Sequence, residues 1–183
     1  MQSICEIERY TYSDYKNWEG DWELIEGIPI SMAPAPMIKH QKLAYEMAFH
    51  LRNEIEECEN CAVIGEEDWK IKEDTVVRPN VVLICDEEGE EYITKAPEIV
   101  VEVVSKSTAN KDENYKFYLY EKEKVPFYIL LYPDDCKAKI YKLKNGKYEK
   151  EGDFFKENYT FKDIACKEIT VNFEKVFKRC KKG

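Results

Sequence analysis

The segment VVRPNVVLICD, residues 76–86, places a polar side chain inside what otherwise reads as a buried β-strand. Its valines, leucine and isoleucine form the near-continuous apolar run that is typical of a strand covered on both faces. Asn80 stands at the start of that run. Burying an amide without hydrogen-bond partners costs about 2–7 kcal/mol. We therefore expect Asn80 to meet another polar group, a water molecule or a metal ion.

The next apolar segment, PEIVVEVVS at residues 97–105, raises the same question for a charged side chain. Side chains alternate between the two faces of a strand, so Glu102 shares a face with Val100 and Val104. An isolated ionised carboxylate among valines is very costly. Glu102 should therefore be protonated, paired with a lysine or arginine, or bound to a metal, and these alternatives stay open at this point.

Helical and strand patterns alternate on both sides of these two segments. Ala44, Met47, Ala48, Leu51 and Ile55 recur at the spacing of a helix packed on a core. Strand candidates rich in valine and isoleucine surround this helix, and Asn145-Gly146 predicts a hairpin turn. We expect one domain over residues 1–183, of the α/β (α+β) class, with a central mixed β-sheet flanked by helices.

A second helix is predicted after the central strands, with Asn110 and Glu113 at the spacing of a capping box. Lys116 on this helix points toward its inward, aromatic half, which makes it a candidate partner for Glu102. The alternative is a lysine whose stem covers apolar surface while its ammonium group reaches water. Lys106 is a rival candidate, because it shares a strand face with Glu102 if that strand continues.

Two polar residues lie at the N-terminal end of the long helix. His40 and Gln41 fall on the same stripe as its apolar residues. Such a pair can face a cleft, where a helix N-terminus also favours anions. A histidine that only binds a loop carbonyl group is an equally good interpretation.

Charge and hydropathy limit the function classes. The net charge of -9 opposes nucleic-acid binding by the molecule as a whole. The charge is uneven, however, and the C-terminal KVFKRCKKG carries five basic residues in nine. No apolar run is long enough to span a bilayer and no secretory signal is recognisable, so we expect a cytoplasmic protein without a membrane partner.

The seven cysteines are odd in number and scattered along the chain. This distribution is more typical of reduced intracellular thiols than of a disulfide framework. Cys58 and Cys61 form a CxxC motif, but no second pair follows at zinc-ribbon spacing. A zinc-linked interaction module remains an alternative at these two residues.

Five segments follow one another along the chain, in the order WELIEG, PAPMIKHQ, VVRPNVVLICD, APEIVVEVVSKST and YKFYLYEKEKVPFYILLYP. This order resembles the Uma-type restriction endonucleases, a branch of the PD-(D/E)xK nuclease superfamily. The resemblance covers about residues 10–145, and it rests on the ordered set of segments rather than on any single motif. The resemblance implies a restriction-endonuclease-like core that hydrolyses DNA phosphodiester bonds with Mg²⁺ or Mn²⁺.

The resemblance also implies roles for individual residues. Glu23, Asn80 and Glu102 match positions that would hold the metal ion. Lys116 matches the lysine that orients the attacking water or neutralises developing charge. The remaining matched residues would lie around the metal site or contact phosphate, and they are His40, Gln41 and Lys106.

Two positions depart from the family pattern. Asn80 stands where the family has aspartate, which removes one negative charge from a metal site, and Lys106 stands where the family has proline. A catalytically inactive nuclease fold that binds nucleic acid or a protein is therefore the alternative function. The thirteen tyrosines and eight phenylalanines also favour a homodimer, because aromatic residues are enriched in interfaces.

Overall fold

The computed structural model describes residues 8–32 and 37–180. Residues 34–36, which begin the quoted segment PAPMIKHQ, lie outside these ranges. The helices are α1 (Tyr12–Tyr15), α2 (Ile38–Glu54), α3 (Lys116–Lys122) and α4 (Phe173–Val176). The strands are β1 (Trp22–Ile25), β2 (Ile28–Ser31), β3 (Cys61–Gly65), β4 (Trp69–Lys72), β5 (Thr75–Val77), β6 (Val81–Cys85), β7 (Ile99–Val103), β8 (Phe127–Tyr132), β9 (Lys137–Lys144), β10 (Lys147–Phe154), β11 (Asn158–Phe161) and β12 (Ile169–Asn172).

A six-stranded sheet forms the centre of the molecule, in the order β10-β9-β8-β7-β6-β3. Its neighbours pair antiparallel except β7 and β8, which run parallel and are joined through α3. A smaller sheet has the order β2-β1-β5-β4, and β11 and β12 form a hairpin. The predicted α+β class with a central mixed sheet is therefore confirmed. No helix in the described ranges has the length and apolar character needed to cross a bilayer.

The segment at residues 76–86 is not one strand, as the sequence indicated, but parts of two strands in different sheets. β5 belongs to the smaller sheet and β6 to the central sheet. Arg78, Pro79 and Asn80 connect them outside any strand. Because Pro79 has no backbone N–H, it cannot donate to a strand ladder, and the chain changes sheets there. This change of sheet brings the N-terminal strands against the central ones.

The two faces of the central sheet pack against different elements. On one face, Leu83, Val101 and Ile129 pack with Met47 and Leu51 of α2 and with α4. On the other face, a separate apolar cluster includes Val100, Leu130 and Tyr120 of α3, with Trp69 of β4. Glu102 lies next to Val101 but on the α3 face, in agreement with the predicted alternation. The side chain of Glu102 is thus carried toward α3.

The helix predicted from Asn110 begins differently from the expected capping box. The side chain of Asn110 makes no cap hydrogen bond, and residues Lys111–Tyr115 form a π-helical turn that leads into α3. In this turn the N–H of Lys116 donates to the carbonyl oxygen of Lys111, five residues back. The wider turn places Lys111 and Lys116 on one face of the helix, which a regular α-helix would not do.

All six cysteines in the described ranges form disulfides, contrary to the expectation of reduced thiols. The pairs are Cys58–Cys166, Cys61–Cys85 and Cys136–Cys180. Their partners are 108, 24 and 44 residues apart in the sequence. Only the folded chain brings them together, so their spacing along the chain does not predict the pairing.

Candidate functional site

A cleft of about 480 Å³ opens between the start of α2, the junction of β5 and β6, and the π-helical turn. Asn80 enters it from the start of β6 and Glu102 from the end of β7. Because these neighbouring strands run antiparallel, the beginning of one and the end of the other meet at the same edge of the sheet. The polar residues that line this cleft include His40, Asn80, Glu102, Lys111, Asp112 and Lys116.

The centre of the site is a buried lysine between two buried glutamates. The Nζ atom of Lys116 lies 2.8 Å from Oε1 of Glu23 and 2.8 Å from Oε1 of Glu102. All three side chains are at most 3% exposed. The hydroxyl of Tyr120, one helical turn beyond Lys116, donates to the same Oε1 of Glu102 at 3.0 Å. Glu102 is therefore paired with a basic residue, one of the alternatives left open by the sequence.

Glu23 is held on both carboxylate oxygens. Its Oε1 accepts the backbone N–H of Arg78 at 2.9 Å in addition to Lys116, and its Oε2 binds Lys111. β1 positions this side chain by pairing with β5, the strand that ends just before Arg78. Glu23 is fully buried behind the two lysines. It joins the N-terminal sheet to the π-helical turn.

The partner of Asn80 is a backbone group. Its Oδ1 accepts the N–H of Val103 at 2.8 Å, and its own backbone N–H lies 3.4 Å from Oε2 of Glu102. The side chain thus continues the connection between β6 and β7 where regular pairing has ended. An amide oxygen has a second lone pair, which this hydrogen bond leaves unused.

Burial and charge act in opposite directions on the carboxyl groups. Burial raises the pKa of Glu102 from 4.5 to about 7, because Lys116 offsets only part of the desolvation and the charges of Asp112 and Glu23 add to it. Burial also raises the pKa of Asp112. For Glu23, the charges of Lys116 and Lys111 outweigh burial and lower the pKa to about 2. The positive charge near Glu102 and Asp112 is therefore too small to offset the cost of burying their carboxylates.

Burial and neighbouring charges also act in opposite directions on the pKa values of the basic groups. Burial lowers the pKa of Lys116, but the charges of Glu102, Glu23 and Asp112 more than compensate and raise it well above 10.5. Arg78 at the rim bonds Asp68 and Asp21 at 2.8 and 2.7 Å. Both groups are therefore cations at neutral pH.

His40 faces the cleft from the first turn of α2. Burial lowers its pKa below 6.5, although the negative charge of Glu102 opposes this shift. Its Nδ1 atom is buried without a hydrogen-bond partner in the described part of the chain. A neutral imidazole with a free ring nitrogen can accept a proton or orient a water molecule.

The sequence matches a protein-family model described as "Putative restriction endonuclease" (Uma2) over residues 8–161. This match covers most of the chain. The chain belongs to the Uma2 family. The family match extends past the segment predicted from the sequence, from residue 145 to residue 161, and so includes the strand β11.

A solved structure gives independent support for the fold of this Uma2 protein. It is described as a putative nuclease belonging to DUF820, from Anabaena variabilis ATCC 29413. The TM-score is 0.69 with 16% identity, and the alignment covers 92% of this chain and 97% of the other. No curated protein sequence matches this chain significantly. The restriction-endonuclease-like fold predicted from the sequence is confirmed.

The structure gathers most of the predicted site residues of the Uma2 protein, but not all of them. His40, Asn80, Glu102 and Lys116 line the cleft, and Glu23 lies directly behind the lysines. The Nε2 atom of Gln41 donates to Oε1 of Glu66, a residue at the edge of the cleft, at 2.9 Å.

Lys106 is exposed and lies outside the cleft lining. β7 ends at Val103, so the strand face that would have carried Lys106 toward Glu102 does not extend that far. The lysine that reaches Glu102 is Lys116, as the direction of the helix indicated.

Sequence reasoning missed Lys111, Asp112 and Arg78 as parts of the site. Asp112 is one turn before Lys116, and that spacing could have identified it. Lys111 depends on the π-helical turn, for which the sequence has no recognisable signal.

Proposed function

We propose that this Uma2 protein is a metal-dependent endonuclease that hydrolyses DNA phosphodiester bonds. The observation that supports it is the pair Glu102 and Asp112, two buried carboxyl groups with raised pKa in the wall of an open cleft. Negative charge that is not balanced by the protein favours a cation at this place.

The donor groups fit a hard divalent ion. Mg²⁺ takes oxygen ligands and is commonly bound through one or two carboxylates, with water and phosphate oxygens completing its shell. In the described part of the chain, the only group of three or more closely spaced His, Cys, Asp or Glu ligand atoms consists of cysteines away from the cleft. The cleft thus offers a metal ion fewer than three such ligands in close contact. A metal ion in the cleft would therefore use Glu102 and Asp112, with the second lone pair of Asn80 as a weaker donor. When bound, Mg²⁺ or Mn²⁺ would polarise the phosphate and lower the pKa of a water molecule.

The other residues of the site would have the remaining roles in binding DNA and in the reaction. Lys116 would neutralise the negative charge that develops on the phosphate, and Lys111 would contact the DNA backbone from the exposed side of the cleft. Glu23 would hold both lysines in place and could join the metal only by giving up one of their ion pairs. His40, neutral and with a free Nδ1, would orient the attacking water, while Gln41 and Lys106 remain candidates for phosphate contacts at the rim.

The test is nicking of supercoiled plasmid DNA by the full chain. We expect nicking with Mg²⁺ or Mn²⁺ that stops when the metal is chelated. Glu102→Gln removes a charged ligand while keeping its size. Mutation of a residue that only orients a metal ligand lowers metal affinity or activity by about 10–100-fold. Because Glu102 is itself a proposed ligand, the variant should lose at least about 100-fold in nicking rate. Calorimetry with Mn²⁺ should show weaker metal binding by the same variant.

Glu98→Gln is the matched control, because Glu98 immediately precedes β7, is half-buried and does not line the cleft. It should nick at the rate of the parent chain. Equal rates for Glu102→Gln and the parent, or cleavage that persists after chelation, would exclude this mechanism.

A specific observation supports a second candidate function, an inactive nuclease fold that binds nucleic acid or a protein. Asn80 lacks the charge of the family aspartate and its oxygen already bonds Val103, while Lys116 occupies the space between Glu23 and Glu102. Asn80→Asp separates the two functions. A parent chain without cleavage and a variant with strong cleavage would identify a degenerate enzyme, whereas parent activity would exclude this candidate.

We also propose a homodimer and a cytoplasmic location, as expected from the sequence, and in the cytoplasm the three cysteine pairs would be kept reduced. Tyr45 and Phe49 of α2 are 72% and 58% exposed, and large exposed aromatic side chains support self-association. A dimer would let each copy cut one strand of a DNA duplex. Light scattering of the parent chain and of Phe49→Ser would test the dimer, which the variant should weaken.

A further inference from the structure

Four cysteines gather at the end of the central sheet opposite the cleft. Cys58 lies in the turn after α2, Cys61 begins β3, Cys85 ends β6 and Cys166 lies in the loop before β12. Cys61 and Cys85 face each other across two antiparallel strands. Asn80 in the cleft is five residues before Cys85, which corresponds to about 17 Å along a strand. The cysteine cluster is thus separate from the proposed nuclease site.

Three of the four sulfur atoms in this cluster are closer together than two independent disulfides require. The Sγ atoms of Cys58, Cys61 and Cys166 all lie within 4.8 Å of one another, although Cys61 is bonded to a different partner. Zn–S bonds of about 2.3 Å in a tetrahedron place the sulfur atoms about 3.8 Å apart. The Sγ atom of Cys85 is bonded to that of Cys61 but lies outside this mutual 4.8 Å group, so reduction must free it to move toward Cys58 and Cys166.

We propose that the reduced chain binds one zinc ion through Cys58, Cys61, Cys85 and Cys166. Cys58 and Cys61 supply the CxxC pair, and the fold supplies the second pair that is missing from the sequence. Cys58 and Cys85 are buried while Cys61 and Cys166 are partly exposed, so the site is enclosed yet has an entry path. Four protein ligands leave no open position, which is typical of a structural zinc site.

The two states of the cluster are related by a balanced reaction. Two equivalents of a dithiol, each oxidised to its own disulfide, supply the four electrons and four protons that convert both protein disulfides into four thiols. Zinc then binds the thiolates and displaces the four thiol protons, so zinc affinity falls as the pH is lowered.

In either state the cluster connects the end of α2, the edge of the central sheet and the C-terminal loop. Lys167 and Glu57, the neighbours of two of the cysteines, approach to 3.9 Å across the same connection.

The experiment measures zinc in the full chain, reduced with a dithiol and then separated from excess zinc without oxygen. We expect about one zinc ion per chain by elemental analysis. Cys166→Ser should lower the zinc content at least tenfold. Cys166→His should retain zinc, because imidazole is also a zinc ligand. Co²⁺ in place of zinc should give the absorption of a tetrahedral thiolate site in the parent and lose it in Cys166→Ser.

Cys136→Ser is the matched control, because it removes a cysteine from the disulfide outside the cluster. It should keep the zinc content of the parent. Cys166 lies in a loop, and circular dichroism of each variant verifies that loss of zinc is not loss of fold. A reduced parent chain without zinc, full zinc content in Cys166→Ser, or iron in place of zinc would overturn the proposal.

Discussion

The two faces of β7 use burial in opposite ways. Val101 and Val103 point toward α2 and are fully buried in hydrocarbon, and Glu102, between them, is 2% exposed on the α3 face. The valines stabilise the fold through the area that they remove from water. Glu102 is stable there because Lys116, Tyr120 and the backbone N–H of Asn80 contact it. Equal burial therefore supports packing on one face and a charged site on the other.

This difference predicts where the fold is most sensitive to a single change. Lys116→Met leaves Glu23 and Glu102 buried without their shared cation. Removing one partner of a buried ion pair typically destabilises a protein by about 3–5 kcal/mol. Urea unfolding at neutral pH should show a loss of this size.

Lys162→Met is the matched control, since Lys162 and its partner Glu168 are 61% and 60% exposed. An exposed pair contributes at most about 1 kcal/mol. If Lys116→Met were as stable as this control, the charged cluster would not depend on internal pairing and the contrast between the faces would fail.

The apolar face should respond through packing alone. Leu83 in β6 is fully buried against the α2 side, and Leu83→Ala leaves a cavity that costs about 2–5 kcal/mol. We expect the nuclease activity per folded molecule to stay at the parent value. Urea unfolding and plasmid nicking measure the two quantities on the same sample.

Leu143→Ala, on the partly exposed strand β9, should cost less than Leu83→Ala. Reduced activity per folded molecule in Leu83→Ala would mean that the two faces are coupled. Such coupling would contradict the separation of stability from chemistry.

The smallest expected effect is the pH dependence of stability, in which two glutamates of the charged face oppose each other. The raised pKa of Glu102 means that the folded state binds its proton more tightly. Its contribution is present below pH 4.5 and is lost as the pH rises toward 7. The lowered pKa of Glu23 has the reverse effect, so its contribution is present above pH 4.5 and is lost as the pH falls toward 2.

Unfolding free energies measured across this pH range would separate the two groups. Glu102→Gln should remove a decrease in stability between pH 4.5 and 7. Glu23→Gln should remove a decrease below pH 4.5. The same pH profile in both variants would show that the two carboxyl groups do not titrate independently.

The sequence was most informative where one local pattern decides the structure. The apolar stripe of α2 and the turn at Asn145-Gly146 are both present as predicted. Each depends on residues close together in the chain, where periodicity and turn preference act directly. The direction of Lys116 was predictable for the same reason.

It was least informative where the structure depends on distant partners. The change of sheets at Pro79, the π-helical turn at Lys111–Tyr115 and the cysteine pairs were all missed. The strand pattern continues across Pro79, and a π-helical turn has the composition of an ordinary helix. Local preferences cannot distinguish these cases, because the deciding contacts are made by residues far away in the chain.

By itself, the sequence determined the fold class, the family and the polar residues that interrupt apolar strands, since the cost of burying Asn80 and Glu102 requires partners of some kind. Only the tertiary structure decided which partners these are. Asn80 meets the backbone of Val103, and Glu102 meets Lys116 and Tyr120. The physical reason is that desolvation is a property of the residue, whereas its compensation depends on the position of groups from other strands and helices.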